Sequence, residues 1–206
     1  MTHGICTGTL IKPLYVLTAA HCTWDTIPSQ YQVYAGPILD PEDFGRVSKI
    51  HIPKKYKIHR LNSKPRTGDI SLLKLKRPFK NVKKYIQIGG NKKEFADLNA
   101  IECILIGFGG MDTKGTLNPA GAMMTTKVRH GQAACKNPNN MGTRWAEYLC
   151  AITPFPSMVC KGDSGGPMIC NGKLYGSYCT RVPKLSFKMD KFYNRKEKEK
   201  EFREYA

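Results

Sequence analysis

Gly162-Asp163-Ser164-Gly165-Gly166-Pro167 sets a serine among three glycines, immediately before the apolar run Met168-Ile169-Cys170. A serine hydroxyl is a poor nucleophile unless a base removes its proton. Glycines on both sides let the backbone turn sharply and let a substrate carbonyl come close. Backbone N–H groups beside the serine can then hold the negative oxygen of a tetrahedral intermediate. A Gly-rich turn around an ordinary serine has the same local composition, so the chemistry depends on partners elsewhere in the chain.

Two other stretches supply them. In Leu17-Thr18-Ala19-Ala20-His21-Cys22 a histidine follows a short apolar run, and a neutral imidazole is the usual activator of a serine. In Asp69-Ile70-Ser71-Leu72-Leu73-Lys74-Leu75 an acid directly precedes an apolar strand. Buried at the strand start, it would accept the imidazole N–H and fix the tautomer; a turn aspartate is the alternative. His3, His51, His59 and His130 have no comparable setting and read as surface or loop residues.

The remainder is built of short apolar runs bounded by Gly, Pro or Asn. Tyr15 to Leu17, Tyr31 to Tyr34, Ile70 to Leu73, Ile101 to Ile106 and Met168 to Cys170 read as strands, so the chain is expected to be mainly β. Gly89-Gly90-Asn91-Lys92-Lys93-Glu94 marks a boundary between two halves, and small sheets without edges suggest barrels. From Lys188 to Arg203 basic and acidic residues alternate, which suits a solvated helix or tail.

The 206 residues carry a formal charge of +17, which draws a chain toward anionic surfaces, glycans or acidic proteins. No recognition motif for nucleic acid accompanies the charge. Lys54, Lys55, Lys57, Arg60, Lys64 and Arg66 crowd the segment before Asp69, a cluster that is either a solvated loop or a polyanion contact. No run of 18 apolar residues could span a membrane. Eight cysteines, without Cys-x-x-Cys or zinc spacing, read as four disulfides in an oxidising compartment. Their pairing stays open among 105 connectivities. No Asn-x-Ser/Thr acceptor occurs.

The chain order His21, Asp69, Ser164 is that of the chymotrypsin-type triad. Cys6-Thr7-Gly8-Thr9-Leu10-Ile11 with Val16 to Cys22 resembles the histidine segment of the trypsin/chymotrypsin-like serine proteases, Asp69 to Leu75 their aspartate segment, and Gly162 to Pro167 their serine segment. Ile50 to Tyr56 resembles their loop ahead of the aspartate, and Gly107-Phe108-Gly109 their Gly-Trp-Gly segment. The resemblance covers roughly residues 5–180.

It implies an all-β fold of two packed six-stranded antiparallel barrels, residues 1–90 carrying His21 and Asp69, residues 91–187 carrying Ser164, and a charged tail over 188–206. It implies bridges Cys6–Cys22, Cys103–Cys170, Cys135–Cys150 and Cys160–Cys179. It implies an oxyanion hole from the N–H groups of Gly162 and Ser164, and Asp163 as the acid that receives a freed N-terminal amine in a zymogen. Met158, six residues before Ser164, would form the pocket floor and favour apolar or aromatic side chains. The implied protein is a secreted monomeric endopeptidase that needs no metal or organic cofactor. Its partners would be protein or peptide substrates, protease inhibitors and an anionic glycan. A non-catalytic homologue on the same scaffold is the alternative. The family's Ile-Val-Gly-Gly-like start is absent and residues 1–6 hold no signal-peptide core, so a truncated chain is expected. Only eight residues separate Cys170 from Cys179, with Ser177-Tyr178 as a remnant of the family's Ser-Trp-Gly wall and Thr180-Arg181-Val182 resembling the strand that follows.

Overall fold

The computed structural model describes residues 4–24, 26–36, 44–53, 56, 68–89, 94–95, 99–110, 120–131, 148–151, 162–178 and 186–188. Met158, Cys135, Cys160, Cys179, the basic cluster at 54–66 and the tail beyond 188 lie outside them, as do His3, His59 and residues 180–182.

Five strands form the first sheet: β1 (Thr9–Lys12), β2 (Tyr15–Thr18), β3 (Gln32–Tyr34), β4 (Phe44–His51) and β5 (Ser71–Leu75). Their order is β1-β2-β5-β4-β3, antiparallel throughout. Six further strands close into a barrel: β6 (Ile101–Gly107), β7 (Ala122–His130), β8 (Tyr148–Ala151), β9 (Pro167–Cys170), β10 (Lys173–Tyr178) and β11 (Ser186–Lys188). The architecture is all-β with two curled antiparallel units; among the described residues the first unit is a five-stranded sheet rather than a closed six-stranded ring. The one α-helix among the described residues is α1 (Ala20–Thr23), a single turn.

Period-two patterning explains the barrel strands. Along β6, Cys103, Leu105 and Gly107 point inward while Glu102 faces solvent. Cys103 and Leu105 meet Val128, Leu149, Met168 and Tyr175 in the core of the second unit. Val16, Val47, Leu73, Leu75 and Phe79 fill the first. A third cluster joins the two units: Leu174 of β10, fully buried, packs with Ile11, Leu17 and Leu72. The chain leaving the first unit is stitched to the same residue, because Gly89 N–H donates to the Leu174 carbonyl and Leu174 N–H to that of Gln87 (both 2.8 Å). Burying one leucine contributes roughly 2 kcal/mol, so Leu174 is a principal tie between the units.

β9 and β10 form a hairpin whose two-residue turn, Asn171-Gly172, has φ of 49° and 71°. Asn-Gly is the preferred pair for such a turn, because both positions need positive φ. The short Cys170–Cys179 interval is therefore spent on a tight hairpin running to Tyr178.

The strands correct the reading of His51 as a surface or loop residue, and for half-buried His130 only the loop part of it. His51 ends β4 and is buried, and His130 ends β7. Two residues of the stretch likened to a loop, Ile50 and His51, likewise belong to β4. The pattern there is broken by a bulge between Val47 and Lys49, which hides the alternation from the sequence.

Candidate functional site

β2 delivers the chain to α1, and β5 runs antiparallel to β2, pairing Thr18 with Ser71. This register brings Asp69, just before β5, beside the first turn of α1. A first helical turn has N–H groups with no partner in the helix. Ala19, at the N-cap, offers no side-chain cap. The Asp69 carboxylate fills that role: Oδ1 accepts the His21 backbone N–H at 2.8 Å. Its other oxygen, Oδ2, lies 2.8 Å from His21 Nδ1. Asp69 is buried, and the His21 side chain is 11% exposed. Both oxygens thus face N–H positions of one residue, which holds the ring proton on Nδ1 and leaves Nε2 as the acceptor. Below the helix, the Thr23 hydroxyl donates to Ser71 Oγ at 2.8 Å.

Ser164 is buried in the turn that leads into β9. The turn is pressed against the first unit. Gly165 has φ of +90°, and a Cβ there would lie 2.2 Å from both Thr18 Oγ1 and the Thr7 carbonyl oxygen. No other residue fits. Thr7 N–H donates to the Ser164 carbonyl at 2.9 Å. The Thr7 hydroxyl donates to the Gly162 carbonyl (3.0 Å) and accepts the Phe108 N–H (3.1 Å). Thr18 Oγ1 donates to the Thr7 carbonyl at 2.8 Å. Thr7 therefore ties together the start of the chain, the serine turn and the Gly107-Phe108-Gly109 segment. Sequence reading quoted Thr7 only within a motif and gave it no role; its partners lie 101 and 155 residues away, where no local signal reaches.

Cys6 and Cys22 are bridged, as are Cys103 and Cys170, which face each other across β6 and β9. Cys150 is disulfide-bonded as well. The Cys22 sulfur lies 3.8 Å from His21 Nε2 and 3.7 Å from the Ser164 carbonyl oxygen, so the histidine and the serine turn flank one atom. Cys6, His21 and Cys22 offer ligand atoms within 4.8 Å of one another, but both sulfurs are spent in the disulfide and no thiolate is left to hold a metal. The Asp163 Oδ1 accepts the Gly109 N–H at 2.8 Å. Ser177, buried on β10, has a hydroxyl without a hydrogen-bond partner among the described residues. No helix among the described residues is long and apolar enough to cross a membrane.

Two β-units meeting at a histidine–aspartate pair and a Gly-rich serine turn define the chymotrypsin-like architecture. Residues 1–181 match the Trypsin family, and the chain belongs to it. Snake venom serine protease KN6 of Trimeresurus stejnegeri is 32% identical over 182 residues, which is 82% of this chain and 64% of that protein. The chain thus spans under two thirds of the length of this relative. Among solved structures, neuropsin, a serine protease expressed in the limbic system of mouse brain, superposes with a TM-score of 0.72 at 23% identity, covering 96% of this chain and 89% of that one. The scabies mite inactivated protease paralogue S-D1 gives 0.77 at 18% identity, covering 98% and 88%. At these identities the two structures speak for the fold alone.

Proposed function

We propose that the chain is a serine endopeptidase that hydrolyses peptide bonds through an acyl-enzyme. Ser164 Oγ attacks the scissile carbonyl while His21 Nε2 takes its proton, then returns it to the leaving amine. Asp69 holds the imidazole in the required tautomer and stabilises the imidazolium. The N–H groups of Gly162 and Ser164 receive the developing oxyanion. A second cycle, with water in place of serine, releases the acid. The chemistry needs no metal or organic cofactor.

The observation that carries the reading is the double use of buried Asp69 by His21, through its backbone N–H and Nδ1, beside the serine turn. On this reading residues 1–90 and 91–187 are the two barrels, an assignment supported by β1–β5 falling in the first and β6–β10 in the second. Disulfides support a secreted, extracellular protein, and membership of the Trypsin family supports synthesis as a zymogen. Substrates are proteins or peptides, protease inhibitors are natural partners, and the protein acts as a monomer. Met158 at the pocket floor favours cleavage after apolar or aromatic side chains; a peptide panel cleaved chiefly after Arg or Lys would contradict that preference.

The rival reading, a non-catalytic binding homologue, draws on the short Cys170–Cys179 interval, which is spent on the tight β9–β10 hairpin. Rapid mixing of the full-length, proteolytically activated protein with a chromogenic ester separates the two. Acyl-enzyme chemistry gives a burst of about one leaving group per active chain, followed by slower turnover. A non-catalytic homologue gives no burst.

A further inference from the structure

Charge is divided unevenly between the two units. Among described residues 4–89 there are nine cations, seven lysines and two arginines, and one carboxylate. That carboxylate is Asp69, buried against His21. Described residues 94–188 hold four cations and three carboxylates. Four of the nine, Arg46, Lys49, Lys74 and Lys76, are brought together on the outer face of the first sheet by the register of β4 against β5. Lys49 of β4 stands directly opposite Lys74 of β5. Lys76 N–H donates to the Arg46 carbonyl at 2.8 Å, making a second like-charged neighbour pair. Like charges facing each other across a ladder oppose folding, and no carboxylate relieves them here among the described residues.

The bulge at Ser48 serves this arrangement. Regular alternation would turn Lys49 inward after buried Val47; with the extra residue, Arg46, Ser48 and Lys49 all face solvent. Ser48 Oγ closes the gap by donating to the Lys74 carbonyl at 2.9 Å. Two rings steady the cations: Arg46 lies 5.8 Å from the Phe44 centroid and Lys74 5.7 Å from that of Tyr15. One end of the strip opens into a cleft of about 300 Å³ lined by Arg46 and Lys76 with Ser29, Tyr31, Gln32 and Val47. Gln32 is the ladder partner of Arg46, so the cleft runs across β3 and β4 to Lys76, the residue that follows β5.

We propose that this strip is a binding site for a linear sulfated glycan, with a sugar seated in the Ser29–Gln32 cleft, its sulfate between Arg46 and Lys76, and the chain continuing over Lys49 and Lys74. The cleft offers a hydroxyl and a carboxamide for sugar hydroxyls beside two cations for an ester sulfate. Single-stranded nucleic acid would need open aromatic platforms; here Phe44 and Tyr15 lie under cations and Tyr31 packs against the core. The proposal is independent of the protease reading, and the test uses full-length Ser164→Ala protein to keep it so.

Binding of a heparin dodecasaccharide is measured by calorimetry at about 0.15 M salt. Replacing Arg46, Lys49, Lys74 and Lys76 together by Gln weakens binding by about tenfold or more and flattens its salt dependence, since fewer counterions are released. A charge-matched control, with Lys83, Lys84, Lys127 and Arg129 replaced by Gln, stays within about twofold. Thermal unfolding verifies that each variant folds; if the fourfold variant does not, the Arg46→Gln/Lys76→Gln pair is used and loses at least half of that logarithmic change. Equal losses in strip and control variants, no binding by the parent protein, or polyglutamate binding the strip as tightly as the sulfated sugar would each overturn the proposal.

Discussion

Asp69→Asn separates two jobs that one carboxylate performs. In the native site Oδ1 accepts the His21 backbone N–H and Oδ2 faces Nδ1, both at 2.8 Å. An asparagine has one acceptor and one donor end. The backbone N–H cannot turn, so it claims the amide oxygen. The amide nitrogen is then left facing Nδ1, which must become an acceptor. The ring proton moves to Nε2, and the imidazole can no longer take a proton from Ser164. The helix cap survives while the base is lost. The expected fall in kcat/KM is about 10⁴-fold, the size seen for this change in the Ser-His-Asp template. That equals about 5.4 kcal/mol of transition-state stabilisation. Asp69→Ala removes the cap too, and additionally costs about 1–3 kcal/mol of stability for the stranded N–H. The assay is kcat/KM on a fluorogenic ester with thermal unfolding in parallel. A kcat/KM for Asp69→Asn within tenfold of the parent would refute the tautomer argument. A loss of stability as large as that of Asp69→Ala would refute the claim that the backbone N–H orients the amide.

Three further outcomes follow from the same contacts. Thr7→Val strands the Gly162 carbonyl and the Phe108 N–H, destabilising the protein by about 2–4 kcal/mol; Thr7→Ser restores both bonds and activity, and failure of that rescue in urea unfolding and ester turnover would show that the loss does not come from the hydroxyl bonds. Gly165→Ala forces a Cβ to 2.2 Å from two atoms at φ +90°, costing more than about 4 kcal/mol, and soluble folded yield checks it. Burial, reinforced by Lys49 and Lys74, holds the His51 pKa below its ordinary value. The unfolded chain therefore binds the extra proton between the folded pKa and about 6.5, so stability is full above that range and falls on acidification, by at most about 1.4 kcal/mol per pH unit from this group. Unfolding midpoints from pH 8 to 5 should show that slope, and His51→Gln should flatten it; an unchanged slope would assign the acid sensitivity elsewhere.

β2, β5 and β9 were legible as short apolar runs bounded by turn residues and buried along nearly their whole length, and β6 as a longer apolar run whose burial alternates. β4 escaped because its bulge breaks the alternation at Ser48, and β7 because it turns an apolar Met123 outward and a polar Thr126 inward. His21, Asp69 and Ser164 could be singled out from the sequence because each sits in a local motif, and the structure brings His21 and Asp69 together. Thr7 and the basic strip were not, since their meaning lies in cross-chain register: Thr7 acts on Gly162 and Phe108, and Lys49 matters only once Lys74 stands opposite.

Labelling of the full-length, proteolytically activated protein by a fluorophosphonate tests the central claim most directly, because the reagent reacts only with a serine whose base and oxyanion hole are assembled. The account predicts one label per chain, borne by Ser164, lost in Ser164→Ala and slowed by orders of magnitude in His21→Ala. No labelling of the activated protein, or labelling that persists in Ser164→Ala, would contradict it.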